Sequence, residues 1–147
     1  MSAGEVWFVD SNVLLYYVDP ANTAKRMRSI EWLDHLWQTG SGRLSWQVLH
    51  EFYWNAVRKM RLESSAARRI VEDLSNWRPI DTSLALAQQA WYWMDAAQMT
   101  YWDALIVAAA QRSGARYLLS EDFQTDREYG GVRVINPFEQ PIAEFRI

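Results

Sequence analysis

Short apolar runs rich in Val, Trp, Phe, Leu and Ile alternate along the chain with stretches whose apolar residues recur at helical spacing. That alternation admits few folds. Strands joined by helical crossovers pair in parallel, the crossovers are right-handed, and helices cover both faces of the sheet. The expectation is an α/β domain on a mostly parallel sheet.

The first strand spans residues 5–10 (EVWFVD) and runs through Asp10-Ser11-Asn12 into a helical stretch at 13–16, closed by Pro20. Residues 22–39 carry Met27, Ile30, Leu33, Leu36 and Trp37 at helical spacing. A second strand is expected at 43–46. Residues 47–60 place Val48, Leu49, Phe52, Ala56, Val57 and Met60 on one helical face. A further helix at 64–77 starts with Ser64 or Ser65 as cap and turns Ile70, Val71 and Leu74 inward. Residues 78–80 read as a short third strand. Asp81, Thr82 and Ser83 offer caps for a helix reaching about 97. Residues 100–113 form an Ala-rich helix stopped by Gly114. Strands at 115–119 and 131–135 complete five. No repeat, low-complexity tract or linker divides the 147 residues, so a single domain over 1–147 is expected.

In open parallel sheets, ligands bind beyond the carboxyl ends of the strands. Asp10 ends the first strand. Glu51 lies about one turn into the helix after the second. Asp103 lies in the first turn of the helix before the fourth, and Asp122 just past the fourth, in Ser120-Glu121-Asp122. With the first and fourth strands side by side at the centre, all four acids reach one edge. Carboxylates without His or Cys suit hard cations, chiefly Mg²⁺ or Mn²⁺, and repel one another when no cation joins them. Each acid also has a plainer role. Asp10 is a helix cap, Glu51 a solvated helix charge, Asp103 part of a capping box with Thr100, and Asp122 a solvated loop acid. Asn12 and Ser120 orient a carboxylate or hold a water, or else serve as turn and cap residues. Asp126 is a further loop acid. His50 adjoins Glu51 but points elsewhere on the helix.

Composition narrows the chemistry. The absence of Cys excludes disulfides, thiolate catalysis and Cys-ligated metals, and two His leave little room for imidazole sites. No apolar run approaches about 18 residues, so no membrane span is expected. The start, MSAGEVWFVD, lacks the basic region of a signal peptide, and the cytoplasm is the expected compartment. A net charge of −3 argues against a broad basic surface for duplex nucleic acid. It leaves room for a carboxylate site acting on phosphate. The densest basic stretch, Arg58, Lys59, Arg61, Arg68 and Arg69, reads either as a solvated helical hairpin or as a phosphate or partner contact. The nine Trp are expected mostly to fill the core.

These motifs resemble PIN-domain ribonucleases, specifically VapC-type toxins of bacterial toxin–antitoxin pairs, over essentially the whole chain. VDSNVLLYYVD carries Asp10 and Asn12, LHEF carries Glu51, YWDALIVAAA carries Asp103, and LLSEDF carries Ser120 and Asp122, followed by GVRVINPF. Many relatives have a second acid soon after the last, close to a Phe. Here Phe123 follows Asp122 at once, and the next acid is Asp126. The resemblance implies a three-layer α/β/α, Rossmann-like domain with a mostly parallel five-stranded sheet. It implies cleavage of RNA phosphodiester bonds with Mg²⁺ or Mn²⁺ held by Asp10, Glu51, Asp103 and Asp122. It also implies a homodimer inhibited by a cognate antitoxin. Two other readings stand beside it. One is a phosphatase or phosphotransferase with Asp10 as covalent nucleophile, although Asn12 stands where that chemistry expects a second acid. The other is a non-catalytic module that keeps the fold.

Overall fold

The computed structural model describes residues 4–145; residues 1–3 and 146–147, included in the single-domain expectation, lie outside the described residues. The order is β1 (Trp7–Val9), α1 (Ser11–Tyr17), α2 (Thr23–Thr39), β2 (Gly42–Arg43), α3 (Trp46–Arg58), α4 (Ser64–Leu74), α5 (Leu84–Ala97), α6 (Tyr101–Arg112), β3 (Tyr117–Leu119), β4 (Glu128–Tyr129) and β5 (Val132–Ile135). Short 3-10 turns lie at Ser75–Trp77 and Ile142–Phe145. The strands form one sheet in the order β2-β1-β3-β5-β4. All pairings are parallel except β4 with β5. The α/β, Rossmann-like expectation holds, with the first strand paired directly to the strand at 117–119.

Trp7, Phe8 and Val9 are all buried. Successive strand residues point to opposite faces, so both faces of β1 must be covered. On one face Trp7 stacks on Tyr117 at 4.1 Å between centroids and meets Trp32 of α2 and Phe145. Phe8, on the other face, is fully buried. Helix α6 is buried without interruption from Ala104 to Ala110. A helix that is apolar all round belongs inside. Its small side chains let it lie against β3, β5 and α5. Gly42 in β2 is similarly close-packed, since any Cβ there would collide with the Trp77 ring.

The structure corrects several expectations. Residues 78–80 do not form a strand. Arg78 takes a left-handed conformation (φ 54°), Pro79 has no N–H to donate, and only a parallel bridge between Ser45 and Ile80 remains. The second strand is Gly42–Arg43 rather than 43–46. Ser45 leaves the sheet to cap α3, accepting from Val48 N at 3.3 Å. Neither Ser64 nor Ser65 caps α4. Glu63 holds the N-cap position without a side-chain bond. The strands expected at 115–119 and 131–135 are present as β3 and β5; the strand not expected is β4, a two-residue strand joined to β5 through Gly130-Gly131, both at positive φ. The Trp expectation holds for five of the nine: Trp7, Trp32 and Trp77 are buried and Trp46 and Trp93 pack against the core, whereas Trp37, Trp54, Trp91 and Trp102 are at least half exposed. Met27 and Trp37, both at helical spacing in α2, face outward.

Candidate active site

Asp10 follows β1 and is the N-cap of α1, where its side chain accepts from Ser11 N. One carboxylate oxygen accepts from Ser11 N at 2.7 Å. The other accepts from Ser120 Oγ at 2.8 Å and lies 3.3 Å from Asn12 Nδ2. Ser120, at the end of the neighbouring β3, is fully buried. Parallel pairing of β1 with β3 brings the two chain segments together.

Asn12 and Ser120 bind the site into one network. Asn12 Nδ2 reaches Ser120 Oγ at 3.0 Å and Asp122 Oδ2 at 3.1 Å, and Asn12 Oδ1 accepts from Glu121 N at 3.3 Å. Ser120 Oγ accepts from Asp122 N at 3.1 Å. The loop carrying Asp122 is thus fixed from its first residues. Replacing Ser120 with Ala removes a buried orienting hydroxyl and should lower activity about 10–100-fold, the usual effect of losing a group that orients a ligand. Steady-state cleavage rates, with circular dichroism to confirm the fold, check this.

Glu51 approaches from α3. Its Oε1 accepts from Ser11 Oγ at 3.2 Å, and the Gln47 amide, one turn earlier, favours its charged form. Gln47 Nε2 donates to the Trp102 carbonyl at 3.3 Å, tying the starts of α3 and α6 together. Asp103 sits in the first turn of α6, where its backbone N–H donates to the capping Thr100 Oγ1 at 3.2 Å. The cap needs Thr100, not the Asp103 charge. Thr100→Ala should therefore lose about 1 kcal/mol of stability with cleavage retained. Asp103→Asn should lose cleavage with little change in melting temperature. Thermal unfolding and cleavage measured on the same two proteins separate the roles.

The electrostatics show the four acids acting on one another. Burial pushes the Asp10 carboxyl up to about 7; the hydrogen bonds from Ser120 and Ser11 N oppose this, and the charges of Glu51 and Asp122 add to it. Glu51 is raised by burial and by the charges of Asp103 and Asp122. Asp103 is raised by burial and by Asp122. Among the described residues, no Lys or Arg pairs with any of the four. An all-oxygen set with unrelieved mutual repulsion fits a hard divalent cation. Among the described residues, no three acidic or His side chains stand where they could together hold an ion.

Asp126 is placed differently. Its carboxylate pairs with Arg133 at 2.8 Å across the β4–β5 edge. The charges acting on Asp10, Glu51 and Asp103 come from the other members of the foursome. Sequence reasoning missed three supporting residues. Ser11 lies inside the first motif, and Gln47 is one helical turn before Glu51, so both had a local signal. Lys25 had none. From α2 it binds Glu121 at 2.6 Å, beside Asp122, while its ammonium lies 4.6 Å from the Tyr16 ring.

Comparison with curated proteins gives no match. Among solved structures, the chain is similar to VapC20 of Mycobacterium tuberculosis, a sarcin-ricin-loop-cleaving toxin. The TM-score is 0.63 at 21% identity, covering 86% of this chain and 98% of that one. It is also similar to VapBC2 of Rickettsia felis, solved with a DNA fragment from its promoter. There the TM-score is 0.62 at 14% identity, covering 88% and 96%. The family model of the PIN domain matches residues 7–128. With that match spanning most of the sequence, and with the fold shared by both structures, the chain belongs to the PIN-domain family.

Proposed function

We propose that this protein is a divalent-metal-dependent ribonuclease that hydrolyses RNA phosphodiester bonds, and that it acts as the toxin of a toxin–antitoxin pair. What supports the reading is that Asp10, Glu51, Asp103 and Asp122, carried on four separate segments, lie near enough for their charges to act on one another. Membership of the PIN-domain family supports it. So does the likeness to a toxin that cleaves the sarcin-ricin loop.

The four acids would hold Mg²⁺ or Mn²⁺, directly or through water. Such an ion, when bound, would supply a water of lowered pKa and offset charge on the scissile phosphate. The chain's own residues set the geometry. Ser120 and Asn12 hold Asp10 and Asp122 in register, and Ser11 and Gln47 hold Glu51. No residue of the chain has to become a covalent intermediate. Both Asp10 oxygens accept internal hydrogen bonds and the residue is 5% exposed. That is a poor setting for the nucleophile of a phosphatase.

The likeness to VapBC2 supports a cognate antitoxin as partner, and a homodimer is the proposed assembly. No helix among the described residues is long and apolar enough to cross a membrane, and the cytoplasm is the proposed compartment. The test is cleavage of RNA by the purified protein in Mn²⁺ or Mg²⁺ and in EDTA. Metal-dependent cleavage is expected. Equal cleavage in EDTA overturns the metal requirement, and no cleavage in any condition favours the non-catalytic module.

A further inference from the structure

Helix α3 carries more than Glu51. Residues three, four and seven apart share a helix face. Gln47, Glu51, Trp54 and Arg58 therefore form one stripe, with Arg58 about 10 Å beyond Glu51 at 1.5 Å per residue. Trp54 is 57% exposed, which is unusual for a side chain of that apolar area. The Arg58 guanidinium lies 4.8 Å from the Trp54 ring centroid. Beside them, Arg68 of α4 donates to Tyr53 Oη at 3.0 Å. The stripe runs into the basic stretch of Arg58, Lys59, Arg61, Arg68 and Arg69, all exposed, with Glu63 the one acid between Tyr53 and Arg69.

We infer that this stripe is a track for unpaired RNA leading away from the acid set, with Trp54 as a base-stacking platform and Arg58 as a phosphate contact. The inference rests on the ribonuclease reading and assigns the residues that would hold the strand. An exposed indole stacks on any base whose face is free, and a base face is free only in single strands, loops and bulges. The adjoining cations suit the phosphates that follow. The rest of the surface is not basic enough to grip RNA by charge alone. Excluding the four site acids, fifteen cations face fourteen acids over the whole chain. Continuity with Glu51 and the local positive charge favour RNA over a second copy of the chain as occupant.

The test measures anisotropy of a fluorescein-labelled single-stranded RNA of about twelve nucleotides, a length of the order such sites cover. The same sequence as a blunt duplex is measured alongside, both in EDTA so that cleavage does not compete. The single strand should bind more tightly than the duplex. Trp54→Ala should weaken single-strand binding by about tenfold to a hundredfold, and Trp54→Phe should recover most of the loss. Arg58→Ala should reduce the slope of log affinity against log salt by about one. Trp91→Ala, an exposed Trp on α5, should change nothing. Unchanged binding by Trp54→Ala, or equal affinity for strand and duplex, overturns the proposal. So does a binding loss that light scattering traces to conversion of a dimer to a monomer, because the face then belongs to the second copy. Cleavage by the native protein is scored separately. Trp54-dependent binding without metal-dependent cleavage sinks the ribonuclease reading alone. Cleavage with unaltered Trp54→Ala binding sinks only the track.

Discussion

Asp10→Asn should lower RNA cleavage by about a thousandfold or more while the protein stays folded. A bound metal contributes several kcal/mol of transition-state charge stabilisation, and each 1.4 kcal/mol or so is a factor of ten in rate. Asp10 is the most buried of the four acids and the one to which Ser11, Asn12 and Ser120 are all bonded. Its loss weakens the site at its anchor. Asn retains an acceptor for the Ser11 N–H, but it sets an amide against the Ser120 hydroxyl or the Asn12 amide. Circular dichroism and thermal unfolding must therefore accompany the rate. Asp95→Asn, exposed on α5, is the matched control and should cleave normally. A folded Asp10→Asn protein that cleaves within a few-fold of the native rate would remove Asp10 from the chemistry.

The metal-free protein should lose stability as pH rises from about 4 to about 7. Asp10 is held near 7 in the folded chain against 3.8 as its ordinary value. Between those values the unfolded chain has already released a proton that the folded chain retains. The unfolded state thus binds fewer protons, and stability falls with pH across that window and levels off above it. The raised carboxyls of Glu51 and Asp103 act in the same direction. At about 1.4 kcal/mol per pKa unit, the Asp10 contribution is on the order of a few kcal/mol. For a chain of this length, each kcal/mol moves the melting temperature by roughly 2–4 °C. Melting in EDTA should therefore occur several degrees lower at pH 8 than at pH 5. Millimolar Mn²⁺ should restore much of the difference at pH 8 and little at pH 5, where protons hold the ligands. Glu51→Gln should flatten the slope. A melting temperature in EDTA that rises with pH contradicts this electrostatic picture.

The four acids proposed for the site stand out in the sequence because each lies at or near a transition between elements. Asp10 and Asp122 follow strands, Asp103 follows a helix cap, and Glu51 lies one turn into a helix whose apolar face is unambiguous. Only their convergence needed the fold, and it depends on β1 pairing with β3 across 110 residues. What escaped had weak or misleading local signals. Two-residue β4 has no periodicity to detect, although Gly130-Gly131 is a hairpin signal in its own right. Residues 78–80 have a strand-like apolar end, but Pro79 and the left-handed Arg78 limit pairing to the single bridge at Ile80. The exposed Trp residues escaped because composition cannot distinguish a ring that fills the core from one that waits for a partner. Trp54 and Trp102 stand close to the acids Glu51 and Asp103 in the chain, and both rings are more than half exposed.

The central claim is that four acids from four elements form one cation site. Anomalous diffraction from a Mn²⁺-soaked crystal tests it most directly. Mn²⁺ density should be bounded by carboxylates of Asp10, Glu51, Asp103 and Asp122, with Ser120 and Asn12 still bonded behind them. Mn²⁺ bound only elsewhere on the chain, with these four carboxylates untouched at millimolar metal, would contradict it.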